Sequence, residues 1–219
     1  MVLGIFEPVI QPGYDFYFFS FTSDIMYEPL KKYIEDYSGE AISEEEYEMI
    51  KSAFTPKKFR KKQYLLQAGD VSRYMAFIIK GAVRQYSVDD KGVEHVIYFG
   101  LENWWAGDRE SFTMLTPSRY NIDAVEHTEV LLTTYDHLDQ LKNSIPAIGK
   151  MFTTMDQRSY IATQKRIHAS ISLTAEERYQ ELSKNYPALL QRFPQNMIAS
   201  YLGISAETLS RIRKKALSK

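Results

Sequence analysis

The chain has 219 residues, which fits one large domain or two modest ones. With 44% hydrophobic and 14% aromatic residues it can bury a sizeable core, so general disorder is excluded. A net charge of -1 says nothing about a polyanionic partner, and the placement of charge matters more than its sum.

Residues 1–55 carry eleven acids against Lys31, Lys32 and Lys51. The last fifteen residues carry Arg211, Arg213, Lys214, Lys215 and Lys219 against Glu207 alone. A basic end on a near-neutral protein is a local electrostatic footprint that suits a polyanion such as DNA. A solvated helix end would carry the same charges. There is no cysteine, which excludes a disulfide framework, an iron–sulfur sensor with cysteine ligands and a thiolate switch. No Lys or Arg occurs in the first thirty residues and no apolar run approaches membrane-spanning length, so a cytoplasmic protein without membrane contact is expected.

Residues 1–25 are rich in Phe and Tyr, broken by Pro8, Pro12 and Gly13, and lack helical or strand periodicity; they read as an N-terminal appendage. From Glu28 to Phe54 the pattern is helical, with a capping box at Ser43 and Glu46 and apolar Tyr47, Ile50 and Phe54. Residues 56–135 read as β: Tyr64–Leu66, Met75–Ile79, Val93–Phe99 and Glu129–Thr134 are apolar runs separated by Gly69-Asp70, Lys80-Gly81 and Asp90-Lys91-Gly92. Short strands with glycine turns suggest a small roll, barrel or sandwich. Residues 137–168 place Leu138, Leu141, Ile145, Ile148, Phe152 and Met155 on one stripe, and Pro146 marks the opening of a longer second helix, whose stripe Ile148, Phe152, Met155 and Ala162 suits a parallel helix–helix seam between two copies or packs on the roll of its own chain. The remainder to Lys219 reads as helical, with breaks at Pro187 and Pro194.

The strongest signal is the run from Pro194 to Ile212. Two short helices crossing steeply need a small residue at the approach, a positive-φ residue in the turn and a shared apolar interior. Ala199, Gly203 and the set Ile198, Leu202, Ile204, Leu209 and Ile212 meet those needs. Ser205 is a natural N-cap for the second helix, and Glu207 suits its first turn. That leaves Ala206, Glu207, Ser210, Arg211 and Lys214 on the outer face, residue types that suit a major-groove reader. Arg211 can bond guanine O6 and N7 in bidentate fashion, and Glu207 can accept from cytosine N4. Arg213, Lys215 and the helix N-terminus are better placed for phosphates. A hairpin packed for structure alone would need only the apolar positions.

A β-roll, a long helix and this motif, in that order, resemble the superfamily of the cyclic AMP receptor protein and FNR over most of residues 28–219. The resemblance implies an α+β chain with an N-terminal β-roll of double-stranded β-helix or jelly-roll type, a long dimerisation helix and a C-terminal all-α helix-turn-helix domain. The expected bounds are 1–25 for the appendage, 26–143 for the sensor roll, 144–170 for the dimerisation helix and 171–219 for the DNA-binding domain. Implied partners are double-stranded DNA with a palindromic operator, a second copy of the chain, RNA polymerase, and either an unknown small-molecule effector or none. In the family, nucleotide-binding members carry Gly-Glu, with the Glu on the ribose, and later an Arg on the cyclic phosphate. The corresponding pocket residues here are Gly107, Asp108, Ser118 and Arg119. Asp108 is one methylene short, and Ser118 stands at the Arg position with Arg119 one residue off, which on a strand means the opposite face. A buried phosphate would lack its main partner, so loss of cyclic-nucleotide binding is expected. The chain also has almost no residues after the second helix for the β-wing that many members carry.

His95, His127, His137 and His168 are scattered without ligand spacing, so neither metal nor other cofactor is expected. Trp104 and Trp105 are adjacent, so at most one points into a pocket. No phosphate loop or nucleophile elbow appears, leaving an enzyme no residues to rest on. The leading expectation is a sequence-specific homodimeric transcription regulator. The alternatives are a cyclic-nucleotide-responsive activator, and a ligand-binding module that acts through a protein partner.

Overall fold

The computed structural model describes the backbone of residues 15–217 and the side chains of residues 25–216. The expected appendage lies outside the described residues up to residue 14. Helix α1 (Asp15–Ser38) then runs straight through the boundary expected after residue 25. Among its described side chains Tyr27, Leu30 and Ile34 are buried at helical spacing. Pro29 sits inside the helix, a residue that ordinarily argues for a break.

Helix α2 (Glu44–Ala53) opens with the predicted capping box, in which Ser43 and Glu46 satisfy each other's backbone amides. Eight strands follow: β1 (Thr55–Phe59), β2 (Tyr64–Leu66), β3 (Met75–Lys80), β4 (Val83–Val88), β5 (Glu94–Gly100), β6 (Trp105–Ala106), β7 (Asn121–Ala124) and β8 (Thr128–Thr133). A short helix α3 (Arg109–Met114), not expected from the sequence, interrupts them after β6. The strands form two four-stranded sheets, ordered β1-β8-β3-β6 and β2-β7-β4-β5, with antiparallel pairing throughout. This is the expected roll. Its turn glycines Gly69, Gly81 and Gly92 all have positive φ. At Gly81 the reason is also steric, since a Cβ would lie 2.5 Å from Thr128 Oγ1 and 2.6 Å from the His127 carbonyl.

Helix α4 (Tyr135–Ser144) gives way at Ile145 to α5 (Pro146–Ser172), with the proline in the first turn where its missing N–H costs nothing. Four helices complete the chain: α6 (Ala175–Asn185), α7 (Pro187–Arg192), α8 (Gln195–Leu202) and α9 (Ala206–Leu217).

Three apolar layers hold these elements. Phe59, Ile78, Val83, Ile122 and Val130 fill the space between the sheets. Phe77 and Leu131 turn outward from the first sheet to meet α1, α2, α4 and the start of α5. Ala82, Tyr86, Val96, Phe99 and Val125 form a surface on which the C-terminal helices pack. The adjacent tryptophans diverge as strand geometry requires. Trp105 packs among Tyr33, Phe54, Phe77 and Phe152, while Trp104 meets Tyr98 and Tyr186.

The long-helix stripe divides. Ile148 is 2% exposed and sits in the chain's own core, with Phe152 packed against the same cluster. These two were expected in a helix–helix seam between copies, and here they belong to the intrachain face. The sequence could not separate the faces, because one helix can pack on its own roll first and emerge later. Beyond that point Tyr160, Ile161, Ile167 and Ile171 are all exposed. No described helix is long and apolar enough to cross a membrane.

Candidate nucleic-acid interface and roll cavity

Helices α8 and α9 meet through Gly203, whose φ of 67° is open to glycine without strain. The turn is fixed by backbone bonds from Gly203 N to Ser200 O and from Ile204 N to Ala199 O, both 3.0 Å. Ser205 Oγ accepts from Thr208 N at 3.2 Å, the N-cap geometry expected for it. Ile198, Ala199, Leu202 and Leu209 are buried, and Ile204 and Ile212 are half-buried. The apolar positions read from the sequence thus close one interior.

On the other face Ser205, Ala206, Glu207, Arg211, Lys214 and Lys215 are exposed, while Ser210 and Arg213 are half-buried. The Glu207 carboxyl is held below its ordinary value by its own backbone amide and the Ser205 hydroxyl, with Arg211 adding a smaller favourable charge. Arg211 also approaches the Thr208 hydroxyl at 3.4 Å. Glu207, Arg211 and Lys214 therefore share one solvent-facing surface. Lys215 differs: its ammonium pairs with Glu176 of α6 at 2.7 Å, so it is tied back to the domain as well as exposed.

The pair of helices is docked on the roll by contacts that sequence reasoning missed. Strand β5 is an edge of its sheet. The Ser200 hydroxyl accepts from Val96 N at 2.9 Å and donates to Glu94 O at 2.8 Å, satisfying that edge as a neighbouring strand would. Arg192 reaches both oxygens of Glu102 at 2.6 and 3.0 Å and also bonds Glu126. Phe99 packs against Phe193 in a tilted contact with ring centroids 4.1 Å apart, and its ring centroid lies 5.0 Å from that of Tyr201. From α5, Arg166 donates to the Ile97 carbonyl and lies over the Tyr201 ring. A cavity of about 630 Å³ remains between β5 and the start of α9, with Glu94, His95, Asn196 and Ser205 in its walls. Nothing in a single sequence pairs a serine with a strand edge about a hundred residues away.

Inside the roll a second cavity of about 340 Å³ has an apolar floor that includes Leu66, Ala76, Ala106 and Ile122, and a rim with Tyr64, Arg73 and Tyr74. Of the four residues read as pocket-lining, Gly107 lines it. Asp108 and Ser118 are brought together at its edge but are spent on each other. Asp108 Oδ2 accepts from the Ser118 hydroxyl at 2.7 Å, and Oδ1 accepts from Glu110 N and Ser111 N at 3.1 and 3.4 Å. Both residues are buried, and Asp108 is the N-cap of α3. Arg119 is exposed and lies in the bend before β7 rather than on a strand, so the strand alternation used to place it does not apply.

This architecture has counterparts among known proteins. Residues 56–144 match the cyclic nucleotide-binding domain family. The chain is 27% identical over 185 residues to the anaerobic regulatory protein of Haemophilus influenzae, covering 78% of this chain and 70% of that one. It is 27% identical over 188 residues to the fumarate and nitrate reduction regulatory protein of Vibrio cholerae, covering 78% and 72%. Among solved structures, the c-di-GMP responsive global regulator CLP of Xanthomonas campestris superposes with a TM-score of 0.64 at 17% identity, covering 80% of this chain and 92% of that one, a likeness of fold. Residues 56–144 thus form a cyclic nucleotide-binding domain by likeness, and the chain as a whole is similar to the anaerobic and the fumarate and nitrate reduction regulators.

Proposed function

We propose that this chain is a sequence-specific DNA-binding transcription regulator that acts as a homodimer through RNA polymerase. The observation that carries the reading is the division of α9: its apolar side is closed against α8, and Glu207, Arg211 and Lys214 stand together in solvent. A helix so divided presents base-reading and phosphate-binding groups to a major groove. The proposed working parts are a sensor roll over residues 26–143, a dimerisation helix over 144–170 and a DNA-binding domain over 171–219.

The dimer reading rests on the exposed part of α5. Tyr160, Ile167 and Ile171 recur at seven and four residues, the spacing of a helix–helix seam, and all three are exposed in the single chain. A two-fold pair would set two recognition helices about one DNA turn apart, roughly 34 Å, and call for a palindromic operator.

The roll is proposed to have lost cyclic-nucleotide binding. The amides at the start of α3 are already capped by Asp108, whose second oxygen is capped by Ser118. A phosphate entering there would meet a buried carboxylate and no guanidinium. Genomic binding-site sequencing with wild type and Arg211→Ala tests the function. Palindromic sites lost or degenerate in the variant are expected, and enrichment of no defined site by the wild type would overturn it.

A further inference from the structure

A single guanidinium joins the end of the long helix to the turn of the α8–α9 pair. Helix α5 ends at Ser172 and α6 begins at Ala175, so only Leu173 and Thr174 lie between them. Leu173 is extended, with φ -103° and ψ 146°, and Thr174 caps α6 through a box with Glu177. Arg178, in the first turn of α6, donates from Nη1 to Leu173 O at 2.8 Å and from Nη2 to Leu202 O at 3.1 Å. Leu202 is the last residue of α8, and its carbonyl is one of those that a helix end leaves without an intrahelical partner. The turn bonds from Gly203 N and Ile204 N go to Ser200 O and Ala199 O, so Leu202 O is served by Arg178 instead.

The side chain is spent on position rather than on charge pairing. Its two bonded donors go to main-chain oxygens, while the acids that open α6 are engaged elsewhere, Glu176 with Lys215 and Glu177 with Thr174. Arg178 Nε is buried without an acceptor, an unpaired donor of the kind that calls for a reason beyond simple capping. A planar fork with donors in fixed directions can hold two carbonyls of different helices at once, whereas a lysine ammonium is a flexible point charge. On the roll side α8 is held at β5 by the Ser200 hydroxyl. Arg178 is the tie that stops the α8–α9 corner from pivoting about that contact.

We infer that Arg178 is a positioning residue: it fixes α9 against the long helix and so sets the half-site spacing that a dimer of this chain accepts on DNA. The inference rests on the DNA-binding dimer proposed above. In that dimer the two long helices carry the two readers, so freedom at the α5–α6 junction becomes freedom in the separation of the readers. One added base pair moves a half-site by about 3.4 Å and turns it by roughly 34° round the duplex. A fixed pair of readers cannot follow that change, and a loosened pair can.

The test uses the full chain as wild type, Arg178→Lys and Arg178→Ala. Selection from random-sequence duplexes with the wild type supplies the paired half-sites. Anisotropy then follows each protein on the selected duplex, on versions one base pair longer or shorter between the half-sites, and on a single half-site. Wild type is expected to lose roughly tenfold or more in affinity when the spacing changes by one base pair. Arg178→Lys should lose only about threefold or less for the same change, with single-half-site binding within about twofold of wild type, because the outward face of α9 is untouched. Arg178→Lys keeps the stem and the charge, so it carries the test if Arg178→Ala does not fold. A lysine variant weakened by one common factor at every spacing would overturn the inference and leave Arg178 a structural cap. An equal loss on the single half-site would place the effect inside the reader and overturn it too. Selection of no paired half-sites by the wild type would instead remove the DNA-binding dimer itself, and this inference with it.

Discussion

The hydroxyl of Ser118 donates to the carboxylate of Asp108 at 2.7 Å, with both side chains buried at the mouth of α3. This closed pair is the reason no anionic ligand is expected there. Ser118→Ala strands one buried carboxylate oxygen and should destabilise the chain by about 1–3 kcal/mol, read from urea midpoints. Calorimetry on wild type with cyclic AMP and cyclic GMP should give no affinity tighter than the millimolar range. A micromolar dissociation constant for either would mean that the pair opens and that Arg119 reaches the pocket.

Ser200 is the second test point. Removing its hydroxyl leaves the Val96 amide without its acceptor, while the strand itself stays paired to β4 on its other side. Ser200→Ala should speed amide exchange at Val96 by about tenfold, with smaller changes elsewhere in β5. If exchange at Val96 were unaltered, the helix pair would not be seated on the strand in solution.

Glu102 links docking to pH. Burial works against its ionisation, but hydrogen bonds from Arg192, its own amide and the Gly81 amide outweigh that and hold its carboxyl below the usual value. A depressed folded-state value means the stabilisation is fully present above the unfolded value, about 4.3, and is lost as pH falls through the lower folded value. Stability should therefore drop on the acid side, and Glu102→Gln should flatten part of that drop below about pH 4.3. Denaturant midpoints across this range check it; an equally steep loss in the variant would place the acid sensitivity elsewhere.

Arg211 and Lys215 should behave differently on DNA. Arg211→Ala is expected to cost about 1–3 kcal/mol on the specific operator and to relax preference at one base position. Lys215→Ala should weaken operator and random DNA alike and lower the salt slope by about one. Because Lys215 also pairs with Glu176, its loss adds at most a small stability effect, within about 1 kcal/mol for an exposed pair. Competition binding with operator and random duplexes separates the two. Equal losses for Arg211→Ala on both would make Arg211 a phosphate contact, and the base-reading role of Glu207 would fall with it.

The exposed seam gives the last test. Ile167→Glu places a charge in the middle of the apolar stripe on α5 and should shift the chain to monomer at micromolar concentration by light scattering. A wild type that is monomeric with and without DNA would rule out the dimer.

Local chemistry made much of this molecule legible in its sequence. The Ser43 capping box, the turn glycines and the spacing of Ile198, Ala199, Leu202, Gly203 and Leu209 each constrain their own few residues, so they survive without tertiary context. What escaped was decided by distant partners. Helix α3 has only six residues and depends on Asp108 and Ser111 bonding to the neighbouring loops, so no periodicity announces it. Ile148 and Phe152 looked like seam residues because a stripe does not say which surface it meets. Ser200 had no sequence signal at all, since its partners are the backbone of β5.

That last arrangement makes helices α8 and α9 guardians of the roll. With Ser200 in place, Val96 N–H and Glu94 C=O offer nothing to a passing strand. Any rearrangement that lifts α8 away uncovers a strand edge together with the Phe99 ring, a surface prone to pairing with whatever chain is nearest. Movement of the α8–α9 pair relative to the roll is therefore coupled to solubility, and a chain held long in the undocked state is at risk of edge-to-edge association.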